Sequence, residues 1–114
     1  MIKFPENDSR FSWTKHIKNK MVFYHISPNK VKQIFSRPDR TEEGIAPDTV
    51  AAMKIKKTQN KEKPETEIWI MYKLNKKPKS KITMISTWVY PGRTKAGDSV
   101  PIPADILEEI SSIL

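Results

Sequence analysis

The sequence predicts a single α+β domain in which two N-terminal helices pack on a three- to four-stranded antiparallel sheet and a C-terminal helix follows. Two β-rich runs, TEIWIMYKL and KITMISTWVY, are joined by the polar turn NKKPKS, which is typical of an antiparallel hairpin. Apolar residues recur at helical spacing before this hairpin and again after it. A length of 114 residues is near the commonest domain size, so residues 1–114 are predicted to form one domain.

The first helix is predicted over 13–24, with Ser12 as its cap. Its apolar stripe consists of Trp13, Ile17, Met21 and Tyr24. The pair Ser27-Pro28 predicts the start of a second helix, because proline suits the first helical position. Pro38 is expected to end that helix. Because only two or three residues separate the two helices, they should form a helical hairpin or a sharp corner on one face of the sheet.

The predicted strands follow the helices and lie at 50–56, 66–74 and 81–90. The strand at 66–74 carries apolar residues on both faces, which indicates a central position in the sheet. Its faces hold Ile68, Ile70, Tyr72 and Leu74 on one side and Trp69 and Met71 on the other. The remaining connections are an extended lead-in at 1–11, with pairing at a sheet edge through Ile2 and Phe4 as one option, a loop or short strand at 37–49, and polar turns at 57–65 and 75–80.

A Pro/Gly-rich loop at 91–103 precedes the last predicted helix, which Pro103 opens. The apolar face of this helix consists of Ile106, Leu107, Ile110, Ile113 and Leu114. We expect this face to dock on the domain or on a second subunit.

The composition favours a polyanionic partner and excludes several kinds of site. The net charge is +8, which suits nucleic acid or an anionic surface, although surplus lysine also keeps small proteins soluble. Without cysteine there is no disulfide, thiolate zinc site or cysteine nucleophile, and two histidines do not suggest a structural zinc site. No metal or cofactor is expected. The sequence contains neither a signal-peptide pattern nor an apolar run of the ~20 residues that a membrane span needs, so we expect a cytoplasmic protein that is not in the membrane.

His16 is the first candidate for chemistry, because imidazole titrates near neutral pH and suits general acid or base work. Lys20 lies one helical turn further on and would face the same way. The alternative is a half-buried histidine that is hydrogen-bonded to the backbone. His25 falls in the turn between the helices, where a capping or surface role is expected.

An aromatic row on the sheet is the second candidate. Ser86, Trp88 and Tyr90 alternate along one strand face, and Tyr72 is expected to face them from the neighbouring strand. Aromatic side chains beside basic loops stack bases of single-stranded nucleic acid. The alternative is that Trp88 and Tyr90 cover the sheet against the helices.

Cationic side chains are the third candidate. They are Lys15, Lys20, Arg37, Arg40, Lys54, Lys56, Arg93 and Lys95. Arginine balances phosphate charge without losing its proton, and a site that cleaves RNA needs such groups near the phosphate. The lysines at 57–63 and 76–81 are expected to be solvated turns.

Four short motifs resemble the RelE/BrnT-like toxin superfamily, and more closely its uncharacterised branch whose first helix begins T-x-H. They are W-T-K-H at 13–16, I-S-P at 26–28, R-P-D at 37–39 and I-S-T-W at 85–88. The resemblance implies two helices on a three- or four-stranded antiparallel sheet. It also implies a metal-independent ribonuclease that cuts messenger RNA, in some members on the ribosome, and that a cognate antitoxin protein holds inactive.

The resemblance assigns positions in this chain. Thr14-Lys15-His16 matches the start of the first family helix and places His16 at the family's polar site. Ile85-Ser86 matches the end of the third strand, after which BrnT-like toxins continue with a small residue and an arginine. This chain has Thr87 and Trp88 there, and Arg93 is the next arginine.

Two functions are therefore expected from the sequence. In the first, His16 deprotonates the 2′-hydroxyl of RNA, which attacks the adjacent phosphate. The groups that would stabilise the added charge are Arg40, Lys54 and Arg93, and those that would orient the strand or protonate the leaving oxygen are Tyr72 and Tyr90. In the second, a non-catalytic module on the same fold binds nucleic acid through a basic face or docks a protein partner.

Overall fold

The computed structural model describes residues 10–57, 65–74 and 81–113 of the chain, and these residues form an α+β fold. Its elements in chain order are β1 (Phe11–Trp13), α1 (Lys15–Tyr24), α2 (Pro28–Ser36), β2 (Arg40–Glu43), β3 (Thr49–Lys56), β4 (Thr66–Lys73), β5 (Ile82–Pro91) and α3 (Ala104–Ser111). The turn predicted at 75–80, Leu114 and most of the lead-in and of the turn predicted at 57–65 lie outside the described residues.

The sheet has five strands in the order β1-β5-β4-β3-β2. Strands β2 to β5 are antiparallel, whereas β1 pairs in parallel with β5, so that Phe11 lies opposite Ile82. The prediction of a three- to four-stranded, purely antiparallel sheet was therefore wrong in detail. Strand β1 is far from β5 in the sequence but pairs with its edge, and no local sequence pattern predicts that β5 is its partner.

The first helix begins two residues later than predicted, because Trp13 belongs to β1. Thr14, and not Ser12, is the cap: its Oγ1 accepts a hydrogen bond from the backbone N–H of Ile17 at 3.1 Å. The same hydroxyl donates to the carbonyl of Ile85 in β5 at 2.8 Å. One side chain thus fixes both the start of α1 and its position against the sheet.

The second helix begins as predicted. Ser27 accepts from the backbone N–H of Lys30 at 3.1 Å, and Pro28 occupies the first helical position. His25 ends α1 in the left-handed conformation with φ 57°, and its N–H binds the last carbonyls of that helix. The left-handed residue redirects the chain, so α2 begins four residues after α1 ends and both helices pack on the same face of the sheet, as predicted.

Each face of the sheet carries its own apolar core. On the first face, α1 and α2 cover Ile68, Ile70 and Tyr72 of β4. On the second face, α3 and the loop at 92–103 cover Trp69 and Met71. The predicted assignment of β4 as a central strand with two apolar faces is confirmed, since it is the third of five strands.

Helix α3 docks on the second face through Ile106 and Ile110, which are buried. Leu107 and Ile113, which the sequence assigned to the same face, remain partly exposed. Among the described residues, no helix is long and apolar enough to cross a membrane.

Candidate functional site

His16 lies where α1, β5 and α3 meet, and both of its ring nitrogens have a partner. Its Nε2 lies 2.7 Å from the Oγ of Ser86 in β5, and its Nδ1 lies 2.8 Å from Oε2 of Glu109 in α3. Only 9% of His16 is exposed, whereas 46% of the Glu109 side chain is. The imidazole therefore links a buried hydroxyl to a carboxylate at the surface.

The partners of His16 determine its tautomer. An ionised carboxylate only accepts hydrogen bonds, so Nδ1 carries the proton that binds Glu109. In the neutral ring Nε2 then accepts from the Ser86 hydroxyl. Burial lowers the pKa of His16 below its usual 6.5, aided by the charge of Lys20, and the negative charge of Glu109 opposes part of this shift. The geometry and the pKa direction both describe a neutral histidine at pH 7.

The order hydroxyl, imidazole, carboxylate is the one that activates serine in serine hydrolases. Here the hydroxyl is not reachable, because Ser86 is fully buried. Glu109 also belongs to the helix that covers this face, so moving that helix away would remove the carboxylate from the ring. In this conformation the three groups join α1, β5 and α3 and do not present a nucleophile.

Lys20 extends the same contact between α1 and α3. Its Nζ lies 3.4 Å from Oδ2 of Asp105 and 3.4 Å from Oε1 of Glu109. The Lys20 side chain is only 12% exposed, so its charge interacts mainly with these two carboxylates and little with solvent. Lys20 and His16 lie on the same side of α1, as predicted, but Lys20 contacts the acidic residues Asp105 and Glu109 of α3.

Arg40 belongs to a second polar cluster, on the α3 face of the sheet. Its guanidinium donates to Glu42, to the hydroxyl of Thr94 and to the carbonyl of Asp98, and lies 5.2 Å from the centroid of the Trp69 ring. These contacts use the donors of Arg40 to hold the loop at 92–103 against β4. In this structure Arg40 therefore anchors the loop to the sheet.

A fully buried carboxylate, Glu67, lies at the centre of this cluster and was missed by the sequence reasoning. It accepts hydrogen bonds from the indole N–H of Trp69 at 3.1 Å, and from the backbone and hydroxyl of Thr94 at 2.9 and 2.8 Å. The available signal was the alternation in β4, which puts Glu67 on the same face as Trp69 and Met71. An acid at an inward strand position must be hydrogen-bonded, because burying an unpaired charge is costly.

The other proposed catalytic residues lie apart from His16. Tyr72 is buried on the α1/α2 face, where its ring contacts Phe35 with a centroid distance of 4.9 Å, and burial raises its pKa. Lys54 donates to the carbonyl of Arg37 at the end of α2. Arg93 pairs with Glu65 at the surface of the loop. The five residues predicted for catalysis therefore do not share one cleft.

The aromatic row predicted to stack bases is covered. Trp88 is fully buried and stacks on Trp69 with a centroid distance of 6.2 Å and an interplanar angle of 8°. Ser86 is buried beside it, and Tyr90 is half-buried against the same core. Tyr72 lies on the opposite face of β4. The alternative that these rings cover the sheet is the arrangement found, with α3 and the loop as the cover.

Charge is unevenly distributed along the chain. Residues 10–38 form β1, α1 and α2 and contain no aspartate or glutamate. Their lysines and arginines are Arg10, Lys15, Lys18, Lys20, Lys30, Lys32 and Arg37. Residues 96–113 contain no lysine or arginine, and their acids are Asp98, Asp105, Glu108 and Glu109. Lys15, Lys20 and Arg37 thus belong to the basic α1/α2 layer, Lys54 and Lys56 lie in the sheet, and Lys95 lies in the loop on the other face.

A groove of about 640 Å³ opens where α1 turns into α2, and we call it the corner groove. Phe23, His25, Lys30, Lys56 and Thr66 are among its lining residues, and no aspartate or glutamate is among the described ones. Phe23 is 67% exposed, the largest exposure among the large apolar side chains of the described residues. Along α1, Phe23 falls in the row next to the buried stripe, together with His16 and Lys20.

Within the described ranges no three histidine, aspartate or glutamate side chains are grouped so that they would hold a metal ion. Comparisons with protein-family models, with curated proteins and with solved structures gave no match to this chain.

Proposed function

We propose that this protein binds RNA through the outer surface of α1 and α2. The observation that carries the proposal is the composition of residues 10–38, which include seven lysines and arginines and no acid, with Lys20 alone of them paired to the acids of α3 among the ion pairs described. Phosphates along a nucleic acid strand neutralise such a surface and release counterions, which drives association. Lysine predominates over arginine in this layer, and this suits phosphate contacts more than bidentate reading of bases.

The alternative, that lysines merely keep the protein soluble, accounts less well for the distribution of charge. Solubility is served by charges of both signs interspersed over the surface. Here residues 10–38 contain seven cations and no acid, whereas residues 96–113 contain four acids and no cation, and His16 and Lys20 join the two segments through their contacts with α3. The field of clustered cations steers a polyanion towards them.

We further propose that the chain is a RelE/BrnT-like protein. The support is the pair of consecutive helices that begin near T-K-H and I-S-P and pack on the antiparallel strands β3, β4 and β5. Strand β1 and helix α3 would then be additions to the shared arrangement. A cognate antitoxin, messenger RNA and the ribosome stay partners that the family resemblance implies.

The test is a titration of a fluorescein-labelled single-stranded oligoribonucleotide, followed by anisotropy at several sodium chloride concentrations. The double variant Lys18→Glu/Lys30→Glu reverses two charges of the α1/α2 layer. We expect it to weaken binding strongly and to reduce the salt slope by about 0.7 for each lost phosphate contact.

The matched control is Lys73→Glu/Lys95→Glu, which changes the net charge equally. Lys73 ends β4 away from the corner groove, and Lys95 lies on the loop of the opposite face. This control should weaken binding much less. Equal losses in the two double variants would leave only net charge as an explanation and would refute a localised surface.

A second candidate function is cleavage of the bound RNA, for which the neutral His16 between Ser86 and Glu109 is the specific support. A neutral imidazole is the form that accepts a proton from a 2′-hydroxyl. Its Nε2 would have to exchange Ser86 for the substrate, and a movement of α3 that uncovered the ring would also remove Glu109 from Nδ1. Labelled RNA incubated with the wild type and with His16→Ala tests this: products from the wild type alone support it, whereas equal products, or none, exclude His16 from catalysis.

A further inference from the structure

Phe23 is the most exposed large apolar residue among those described and lines the corner groove. It lies near the end of α1, with its ring centroid 4.8 Å from that of Tyr24 and at 85° to it. The Nζ of Lys20 lies 5.5 Å from the same centroid. The Phe23 ring is therefore held by its neighbours while most of it faces solvent at the corner groove.

The surroundings of the ring are basic. Lys30 comes from α2 and Lys56 from the end of β3, so cations approach the corner groove from two different elements. No acidic side chain is among its described lining residues. The volume of about 640 Å³ lies within the range of about 300–1,000 Å³ found for small-molecule sites.

We propose that the corner groove holds one unpaired base of an RNA strand, stacked on Phe23, with the adjoining phosphates beside Lys30 and Lys56. This inference rests on the RNA binding proposed above and specifies its substrate as single-stranded. An aromatic ring provides a stacking surface for any base, and nearby cations follow the backbone. A duplex keeps its bases paired and stacked, so it would contact the lysines but not the ring.

The first experiment compares Phe23→Ala with Val22→Ala. Val22 is the neighbouring residue on α1 and is also exposed, at 44%, but it does not line the corner groove. We expect Phe23→Ala to weaken binding of a single-stranded oligoribonucleotide by about five- to hundredfold, the equivalent of one stacked base. Val22→Ala should bind as the wild type does, and both variants should bind an RNA duplex as the wild type does.

The second experiment uses Phe23→Trp, which keeps a stacking ring and adds a reporter. The native tryptophans, Trp13, Trp69 and Trp88, are at most 4% exposed, so ligand contacts should hardly change their emission. Emission from the new indole should fall when single-stranded RNA is added and should not change with inorganic polyphosphate, which has charge but no base.

The outcomes separate the two proposals. If the wild type binds no RNA, the proposed function itself fails and this inference fails with it. If the wild type binds RNA but Phe23→Ala binds as tightly as Val22→Ala, the basic surface stands and the stacking groove is refuted. Circular dichroism of each variant excludes unfolding as the cause, and none is expected because Phe23 is exposed.

Discussion

The Nδ1 of His16 and the Oε2 of Glu109 lie 2.8 Å apart and join helices from opposite ends of the chain. Helix α1 carries cations and no acid, whereas α3 carries acids and no cation, and Lys20 adds two longer contacts between them. The contact covers His16 with α3, and in the neutral ring it selects the tautomer that carries the proton on Nδ1. Through this contact, the docking of α3 affects the protonation of His16, and the protonation of His16 affects the docking of α3.

The first prediction is that stability falls as the pH is lowered from 7 to 5. Burial places the folded-state pKa of His16 below 6.5, its usual value and the value expected in the unfolded chain. Between these two pKa values the unfolded chain binds a proton that the folded chain does not. The stabilisation is thus complete above pH 6.5 and is lost as the pH falls through this window.

The measurement is the free energy of unfolding by urea across this pH range, for the wild type and for His16→Gln. Glutamine at position 16 does not titrate, so the pH dependence should be smaller in the variant. His25 is present in both proteins, and its contribution cancels in the comparison. Parallel curves for the two proteins would contradict a lowered pKa of His16.

The second prediction concerns Glu109→Gln, which keeps an oxygen that accepts the Nδ1 proton and removes the charge. The negative charge of Glu109 raises the pKa of His16 against the effect of burial. We therefore expect the pKa of His16 to fall further in the variant, as measured by NMR titration of the imidazole protons. The change in stability should be less than about 1 kcal/mol, since Glu109 is half exposed.

Glu108→Gln is the matched control for this titration, because Glu108 is the neighbouring exposed acid on α3 and makes no contact with His16 among those described. Its effect on the His16 pKa should be much smaller. A similar fall in both variants would attribute the effect to the general field of the acidic helix and not to the contact.

The parts of the fold that were predictable are those set by local patterns. Alternation over eight residues placed Ile68 and Trp69 on opposite faces of a central strand, and both cores of the sheet follow from it. The start of α2 was equally predictable, because the cap Ser27 and the first helical residue Pro28 make their contacts within one helical turn. These signals need no information from the rest of the chain.

The pairing of β1 with β5 was not predictable in this way. Trp13 fits the apolar stripe of α1 as well as it fits a strand, and the choice is made by backbone hydrogen bonds to residues near Met84. Nor does any local pattern state which face of the sheet α3 covers. That placement determines whether Trp88 is a stacking platform or part of a core.

The candidate site was predictable only in part for the same reason. His16 was identified from its residue type and its place at the side of the α1 stripe. Its partners Ser86 and Glu109 come from elements far away in sequence, and only the assembled fold brings them to the ring. Arg40 was selected for its charge. Its guanidinium donates hydrogen bonds to the Thr94 hydroxyl and the Asp98 carbonyl, and both belong to the loop that packs over it.

The third prediction is that Arg40→Lys destabilises the protein by about 1–3 kcal/mol. A lysine cannot reproduce the planar set of donors that reaches Glu42, Thr94 and the Asp98 carbonyl, nor its position over Trp69. Urea denaturation measures the loss. RNA binding by the folded variant should be unchanged, because Arg40 lies on the face away from the α1/α2 layer.

Arg93→Lys provides the comparison for this substitution. Arg93 pairs with Glu65 at the surface and its side chain is 50% exposed, so the cost should be no more than about 1 kcal/mol. If Arg40→Lys were as stable as the wild type and lost RNA binding, Arg40 would be a functional cation and not the anchor of the loop.

The last prediction is that Thr14→Ala costs more stability than Ser27→Ala, although each removes the cap of one helix. Ser27 caps α2 and makes one hydrogen bond, to the N–H of Lys30, so its loss should cost about 1 kcal/mol. Thr14 caps α1 and also donates to the carbonyl of Ile85, and we expect its loss to cost about 2 kcal/mol. Thr14→Ser keeps the hydroxyl and should recover most of the difference. Equal costs for the two alanine variants, measured by urea denaturation, would mean that the hydrogen bond from the Thr14 hydroxyl to the carbonyl of Ile85 adds no stability beyond that of the cap.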